Sequence, residues 1–365
     1  MKLTRSENRH TPIGLDIRDD EVFGVQFAKA GEHLSLNACV RRAIAPHDTE
    51  DARELAVKNA IESLLKDDAF SGRKAISALG TDDVDTRPVV LPAEACDDEG
   101  PEFAKALLVE ATSCLLYSPE DAVLNYIFLD QSGLEDQSHT EVLLIASQKE
   151  RVKRHLKTLK RSGARITHVD SAACAAVRLL GDDDSAHCVI ELDSKHCIVS
   201  IGRGRDLQFS RAIKFGTERI IQAVAAELDV TPEEAALMLD RRGIDHAAHA
   251  SFDAAEFDAT GALNRGTLQR GLFESCRPVL DQLAVEIRRS ISYFGGLRSA
   301  TGVTHAVLAG GVTPKGLPAY LQSRLEIPVT VANAFAVCGE DTGIDTTEEY
   351  LYVRAAGLAL RDELS

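Results

Sequence analysis

A pattern of short strands and polar turns occurs twice in this chain. Residues 12–44 contain the runs IGLDI, EVFGVQF and LSLNACV, whose apolar residues and separating turns predict strands. Residues 187–213 repeat the order with HCVIEL, HCIVSIG and LQFSRAI. When Asp16 is aligned with Glu191, the apolar positions on either side coincide at an offset of 175 residues. An offset of domain size predicts two similar halves rather than a solenoid.

Helical patterns follow the strands in each half. Residues 49–68 carry apolar side chains at helical intervals, and KAISAL then predicts another strand. In the second half, Thr231 and Gly243 predict the start and the end of one helix, and a long amphipathic helix runs from about Leu268 to the Gly295 and Gly296 pair. A strand, a helix, a short strand and a terminal helix follow. This order predicts α/β domains with mixed sheets.

A third block lies between the two halves. Residues 86–168 predict the order strand, helix, strand, strand, helix, strand, which is typical of a compact α+β insertion on the first half. Residues 246–265 are rich in Ala, Asp and Gly, and they predict a loop or short elements.

The composition excludes several classes of partner. The chain has 365 residues, of which 44% are hydrophobic, so it is long enough for two cores. Its formal net charge of -16 repels nucleic acid and anionic bilayers. The eight cysteines form no C-x-x-C pair, and no window approaches the roughly 18 apolar residues of a membrane span. The first dozen residues are too polar for a signal peptide. We therefore expect a cytoplasmic protein without direct membrane insertion.

Three stretches carry a resemblance to a known family. The first is the opening IGLDI, the second comprises residues 91–129 and 141–176, and the third runs from VEIRRSISYF to residues 306–335. Together they resemble the PilM family of type IV pilus assembly proteins, which is part of the actin-like ATPase superfamily and related to the cell-division protein FtsA. The second stretch is the most specific, since sugar kinases and chaperones of the superfamily carry a different insertion. The resemblance covers roughly residues 12–361.

The resemblance implies an α/β fold of actin-like (ribonuclease H-like) duplicated domains with an α+β insertion subdomain. It divides the chain into a disordered tail at 1–11, a first-lobe core at 12–85, the insertion at 86–168, the first part of the second-lobe core at 169–215, an accessory subdomain with the long helix at 216–300, and the rest of the second-lobe core at 301–365. The terminal helix is expected to close on the first lobe.

The resemblance also implies a role. Proteins similar to PilM are cytoplasmic adaptors that bind the cytoplasmic N-terminal segment of an inner-membrane protein, PilN, through a groove between the insertion and the first lobe. We therefore expect a PilN-like partner, and a cytoplasmic ring or motor ATPase as a second partner. Type IV pili, competence pseudopili, adhesion pili and type II secretion machines share this module.

The family's nucleotide site lies between the lobes, at two strand turns that read Asp-x-Gly-Ser/Thr. Glycine lets the backbone approach the phosphates, and the carboxylate orients Mg²⁺ through water. This chain keeps an acid at both places but carries charged residues where small ones are expected. The positions that correspond to the phosphate turns are Asp16, Arg18, Asp19 and Asp20 in the first, and Glu191, Asp193, Ser194 and Lys195 in the second.

Bulk and negative charge at these turns predict that ATP binding is weak or lost. Two unit charges about 4 Å apart repel by about 4 kcal/mol at an effective dielectric near 20, so a few carboxylates would remove much of the binding free energy. Arg18 and Lys195 either pair with phosphate or neutralise their acidic neighbours. Asp16 and Glu191 are expected to hold Mg²⁺ through water only if nucleotide binds, and no catalytic residue is assigned.

Four further positions match the family's nucleoside contacts. Gly310 and Gly311 follow a predicted strand and would let a flat base lie against the main chain, although a tight turn without ligand needs the same residues. Gly216 and Glu218 lie at a predicted helix start and resemble residues near the ribose, although an acid there also favours the helix dipole.

Other functions stay open at this point. A working ATPase or small-molecule kinase of the same fold would need intact phosphate turns, and an FtsA-like membrane tether would need a C-terminal amphipathic helix. The basic run at 149–161 predicts either a solvated helix face or a surface that docks acidic residues of a partner. The cations of this run are Lys149, Arg151, Lys153, Arg154, Lys157, Lys160 and Arg161.

Overall fold

The computed structural model describes eight stretches of the chain. They are residues 9–96, 99–129, 138–179, 185–244, 265–297, 302–311, 314–339 and 342–364. Most of the predicted loop at 246–265 lies outside them.

The first half forms a six-stranded sheet. Its strands are β1 (Arg9–His10), β2 (Ile13–Ile17), β3 (Glu21–Ala30), β4 (His33–Ala43), β5 (Lys74–Leu79) and β9 (Arg165–Ser171). β2, β3 and β4 are antiparallel neighbours, whereas β5 and β9 add parallel strands beside β2. Helix α1 (Glu50–Leu65) begins at Thr49, whose side chain accepts a hydrogen bond from the Ala52 amide, and buries Ile61 and Leu64.

The second half repeats this topology. Its sheet has the order β12 (Asp206–Ile213), β11 (Cys197–Arg203), β10 (Ala186–Leu192), β13 (His305–Ala309) and β14 (Val329–Val331). Three antiparallel strands are again followed by two parallel ones. The register also agrees, because Asp16 lies opposite Phe23 and Glu191 lies opposite Ile198. The duplication predicted from the sequence is therefore confirmed.

The insertion contributes a sheet of three antiparallel strands. These are β6 (Asp85–Pro92), β8 (His139–Gln148) and β7 (Ala122–Phe128), in that spatial order, with helix α2 (Pro101–Cys114) packed on one face through Phe103 and Leu107. Helix α3 (Lys149–Arg161) then leads to β9, which pairs with β5. The predicted order of elements in 86–168 is present, but its last strand lies in the first sheet instead of the insertion.

The sequence predicts a disordered tail at residues 1–11, but the end of this segment forms a short strand. Arg9 and His10 pair with Lys29 and Ala28 of β3, so these two residues are ordered because β3 extends past β2 and offers a free edge. Residues 1–8 lie outside the described part of the chain.

The remaining helices cover the two large sheets. They are α4 (Ala172–Val177), α5 (Thr217–Leu228), α6 (Pro232–Arg242), α7 (Arg265–Leu297), α8 (Leu317–Leu325) and α9 (Val353–Ala359). α6 begins with a capping box between Thr231 and Glu234, as the sequence pattern indicates. α9 is shorter than the predicted terminal helix, because residues 349–352 form a 3-10 turn before it.

Helix α9 packs tightly between the two halves. A Cβ atom on Gly14 of β2 would lie 1.8 Å from the carbonyl oxygen of Ala355, and one on Gly357 would lie 1.9 Å from that of Ala175. Only glycine permits such a close approach of the backbones. One buried cluster accordingly contains Phe23 of the first half, Val189 of the second and Ala356 of α9.

Candidate functional site

The two duplicated turns meet at the bottom of the cleft between the halves. Asp16 lies near the end of β2 and is 3% exposed, and Glu191 lies near the end of β10 and is fully buried. Their equivalent places in the two sheets explain why both carboxylates point into one cleft. Both residues predicted as the Mg²⁺ pair are thus brought together.

Arg354 of α9 fills the space between these carboxylates. Its Nε lies 2.5 Å from Glu191 Oε1, its Nη2 lies 3.0 Å from Asp193 Oδ2, and its Nη1 lies 3.8 Å from Asp16 Oδ1. The Arg354 side chain is 5% exposed. One buried guanidinium therefore contacts acids from both turns.

Arg18 supplies a second buried cation. Its Nε donates to Asp16 Oδ2 at 2.7 Å, its Nη2 donates to the carbonyl oxygen of Leu351, and its guanidinium lies 4.3 Å from the centre of the Phe23 ring. The predicted alternative in which Arg18 neutralises its acidic neighbour is present, but in a buried position rather than a solvated turn. We call Asp16, Arg18, Glu191, Asp193 and Arg354 the ion network.

The ion network contains three carboxylates and two guanidinium groups. Burial raises the pKa of Glu191 despite the neighbouring Arg354, whereas Arg354 and Arg18 together outweigh burial and lower the pKa of Asp193. The nearby carboxylates hold the pKa of Arg354 well above its usual value, although burial opposes this. Arg354, which the sequence-based prediction of weak ATP binding did not include, compensates part of this negative charge.

The turn backbones are also engaged. The Arg18 amide donates to the carbonyl oxygen of Glu21, and the Asp193 amide donates to that of His196, both at 2.9 Å. Asp19 and Asp20 are exposed, and Asp19 Oδ1 lies 3.9 Å from Arg53. These hydrogen bonds close each hairpin on itself.

The remaining candidates lie around the second turn. Ser194 accepts a hydrogen bond from the Glu218 amide through its carbonyl oxygen, and a Cβ atom on Gly216 would lie 2.0 Å from that oxygen. Gly310 has φ of +92°, and a Cβ atom on Gly311 would lie 2.7 Å from the carbonyl oxygen of Leu192. Lys195 and the Glu218 side chain are exposed. Close packing thus explains the glycines without a ligand, and the ligand roles of all these residues stay predictions.

Two neighbouring cavities lie in this region, and the smaller one borders the ion network. A cavity of about 280 Å³ contains Arg18, Asp193, Gly311 and Arg354 in its wall. A larger one of about 830 Å³ lies beside α5 and α6, and its walls include Leu237 and Lys315. Arg41, Thr217 and Leu351 line both, so the two cavities are neighbours.

The ion network does not fit a Mg²⁺–triphosphate group as it stands. Magnesium needs carboxylate oxygens that can accept the ion or its waters in near-octahedral geometry. Both oxygens of Asp16 face a guanidinium, and the described residues contain no group of three or more His, Cys, Asp or Glu side chains arranged to hold a metal. The guanidinium of Arg354 supplies the positive charge between these carboxylates.

A third cavity lies where the insertion sheet, the end of the first sheet and residues 205–207 of the second half meet. It has a volume of about 300 Å³, and Val123 and Ile127 of β7 form part of one wall. Asp170 at the end of β9 pairs with Arg178 at 2.8 Å and lies 3.6 Å from Arg361, and all three residues line this cavity. We call this cavity the insertion groove.

Sequence reasoning missed Arg354, the central residue of the site. The available signal was that Arg354 is the one charged residue between Tyr350 and Leu360 in an otherwise apolar, tightly packing segment. A cation in such a segment requires carboxylate partners in the core.

The repeated sheets, the facing turns and the bridging terminal helix define the actin-like class of fold. A solved structure titled "PilM-PilN type IV pilus biogenesis complex" is similar over 96% of this chain and 98% of that one, with 20% identity and a TM-score of 0.74. The ethanolamine utilization protein EutJ from Carboxydothermus hydrogenoformans is similar over 96% of this chain and 89% of that one, with 12% identity and a TM-score of 0.53. These likenesses confirm the predicted fold.

The family follows from the sequence itself. The profile described as Type IV pilus assembly protein PilM matches residues 14–246, so the chain belongs to this family. No curated protein sequence matches this chain. Among the helices of the described residues, none combines the length and hydrophobicity that a membrane crossing requires.

Proposed function

We propose that this chain is a cytoplasmic adaptor of a type IV pilus or related secretion machine, which binds the N-terminal segment of a PilN-like inner-membrane protein. Membership of the PilM family and the similar fold in the PilM-PilN complex support the role in assembly. A ring or motor ATPase of the machine would be its second cytoplasmic partner.

The insertion groove is the observation that carries this proposal. Its walls come from β7, from the end of β9 and from residues near the chain's described end, so a bound segment would touch both the insertion and the first lobe. Apolar side chains such as Val123 and Ile127 suit the apolar residues of a short peptide, and the pair of Asp170 and Arg178 offers charged groups in the same cavity.

The proposal is tested by titrating a synthetic peptide into the purified protein. The peptide is the cytoplasmic N-terminal segment of a PilN-like protein from the same organism. We expect binding that Val123→Arg abolishes, because Val123 lines the groove. Val90→Arg is the matched control, since Val90 is also a half-exposed valine on an edge strand of the same sheet but is not part of the groove. Equal loss in both variants, or no binding to the parent, would refute the proposal.

We further propose that ATP binding is weak or lost in this adaptor. The support is Arg354, which occupies the position between the turns and pairs with the acids that would serve Mg²⁺. An internal cation therefore lies at the base of the cleft. Calorimetric titration with Mg-ATP should give no binding in the micromolar range and no hydrolysis, and a micromolar dissociation constant would contradict this part.

A further inference from the structure

The basic helix α3 contains two kinds of cation. Arg151 lies 2.6 Å from Asp83, Arg154 lies 3.5 Å from Glu50, and Lys149 donates to the carbonyl oxygen of Glu120. These three side chains are used within the fold. Lys153, Lys157, Lys160 and Arg161 are exposed and form no ion pair within the described part of the chain.

Neighbouring strand ends extend this unpaired group. The Arg165 amide donates to the carbonyl oxygen of Arg73 at 2.8 Å, and Lys74 is the register partner of Arg165. Gly163, which follows the helix, lies close to Arg73, because a Cβ atom on this glycine would lie 3.2 Å from Arg73 Nη1. We call the resulting exposed surface the cationic face, formed by Arg73, Lys74, Lys153, Lys157, Lys160, Arg161 and Arg165.

Folding alone does not account for the cationic face. Like charges on adjacent strands or one helical turn apart repel, at a cost of a few tenths of a kcal/mol each. The helix dipole favours Lys160 and Arg161 in the last turn of α3, but it does not reach Lys153, Lys74 or Arg165 in this way. A concentration of unpaired cations on a chain of net charge -16 therefore points to an external anion.

We propose that the cationic face docks an acidic, extended segment of a partner protein. Lys153, Lys157 and Lys160 are spaced by about 6 Å and about 4.5 Å along the helix axis, given a rise of about 1.5 Å per residue. Alternate side chains of an extended peptide repeat at about 6.6 Å, so carboxylates at every second position meet successive lysines.

A peptide suits this surface better than an anionic bilayer does. A narrow segment contacts one helix face and two strand ends while the rest of this acidic chain stays in solvent. A bilayer would also face the remaining negative surface, which it repels. The insertion groove contacts α3 at Val152 and β9 at residues 169–171, whereas Lys160, Arg161 and Arg165 lie at the opposite ends of these two elements. The cationic face therefore extends away from the groove proposed for the PilN-like partner.

The experiment uses the full chain and a fluorescein-labelled peptide of alternating Glu and Ser, 12 residues long. Fluorescence anisotropy at 50 mM and 300 mM salt should show binding that weakens at the higher salt. The charge-reversal variant K153E/K157E/K160E should weaken binding at least about tenfold, whereas K105E/K214E/R241E, three exposed cations elsewhere with the same change in net charge, should weaken it less than about threefold. Carbodiimide cross-links should map to Lys153, Lys157 or Lys160.

Several results would overturn the proposal. They are no peptide binding at 50 mM salt, equal weakening by the two triple variants, or cross-links located outside the cationic face. Co-sedimentation with vesicles of 30% phosphatidylglycerol in phosphatidylcholine, without peptide binding, would assign the face to a membrane instead. Circular dichroism melting of both triple variants excludes unfolding as the cause, and a single K157E variant serves if the triple variant fails to fold.

Discussion

The guanidinium of Arg354 lies 2.5 Å from the carboxylate of Glu191, although 163 positions separate the two residues in the chain. Glu191 belongs to the second half, whereas Arg354 projects from a helix that packs against β2 of the first half. The same guanidinium approaches Asp16 of the first half at 3.8 Å. A single side chain therefore connects both turns of the duplicated fold.

Removing this cation should destabilise the protein strongly. Arg354→Met leaves the buried Glu191 and the partly buried Asp193 beside each other with less compensation, and breaking a buried ion pair costs about 3–5 kcal/mol. Urea unfolding should show this loss. Arg42→Met is the control, since Arg42 pairs with Asp67 at a partly exposed site and its loss should cost about 1 kcal/mol or less.

A second variant separates charge from packing in that result. Adding Glu191→Gln to Arg354→Met removes one uncompensated carboxylate at nearly constant volume, so part of the lost stability should return. A double variant as unstable as Arg354→Met would show that Arg354 acts through packing alone.

The sequence predicted the strands and the two turn acids of this site, but not the arginine that bridges them. The 175-residue offset between Asp16 and Glu191 located both acids correctly, because β-strand periodicity and turn chemistry are local properties. Arg354 could not be placed in the same way, since its contacts depend on how the terminal helix docks. Gly14 illustrates this limit, because the sequence does not show that this position must lack a side chain. The reason becomes visible only when Ala355 is seen packed against it.

The position of β9 shows a similar limit. Its sequence predicts a strand correctly, but the choice between the insertion sheet and the first sheet depends on a partner, β5, that is 91 residues earlier at the Lys74–Arg165 pair. Pairing of such distant segments carries no local signal. The order of the elements along the chain was therefore predictable, whereas their pairing partners in the sheets were not.

The docking of α9 should tolerate no side chain at Gly14. A Cβ atom there would lie 1.8 Å from the carbonyl oxygen of Ala355, so Gly14→Ala must displace α9 or β2 and should cost about 2 kcal/mol or more. Gly80→Ala is the matched control, since a Cβ atom on Gly80 meets nothing within 4 Å, and it should change stability by less than about 0.5 kcal/mol. Thermal melting compares the two, and similar melting temperatures would contradict the described packing.

His155 should make stability depend on pH in the mildly acidic range. It lies beside the cleft with Nε2 3.2 Å from Ser77 Oγ, and burial lowers its pKa from 6.5 to about 4. The folded protein thus binds this proton less tightly than the unfolded chain does. The contribution of neutral His155 is complete above pH 6.5 and is lost as the pH falls toward 4, by about 3 kcal/mol at most.

The comparison that isolates this histidine is His155→Gln, which keeps a hydrogen-bond donor near Ser77 but does not titrate. Carboxylates protonate in the same pH range in both proteins, so their contribution cancels in the difference between the two unfolding free energies. That difference should stay constant above pH 6.5 and shift in favour of the variant between pH 6.5 and 4. If the two proteins lose stability in parallel over this range, His155 is not held neutral by burial.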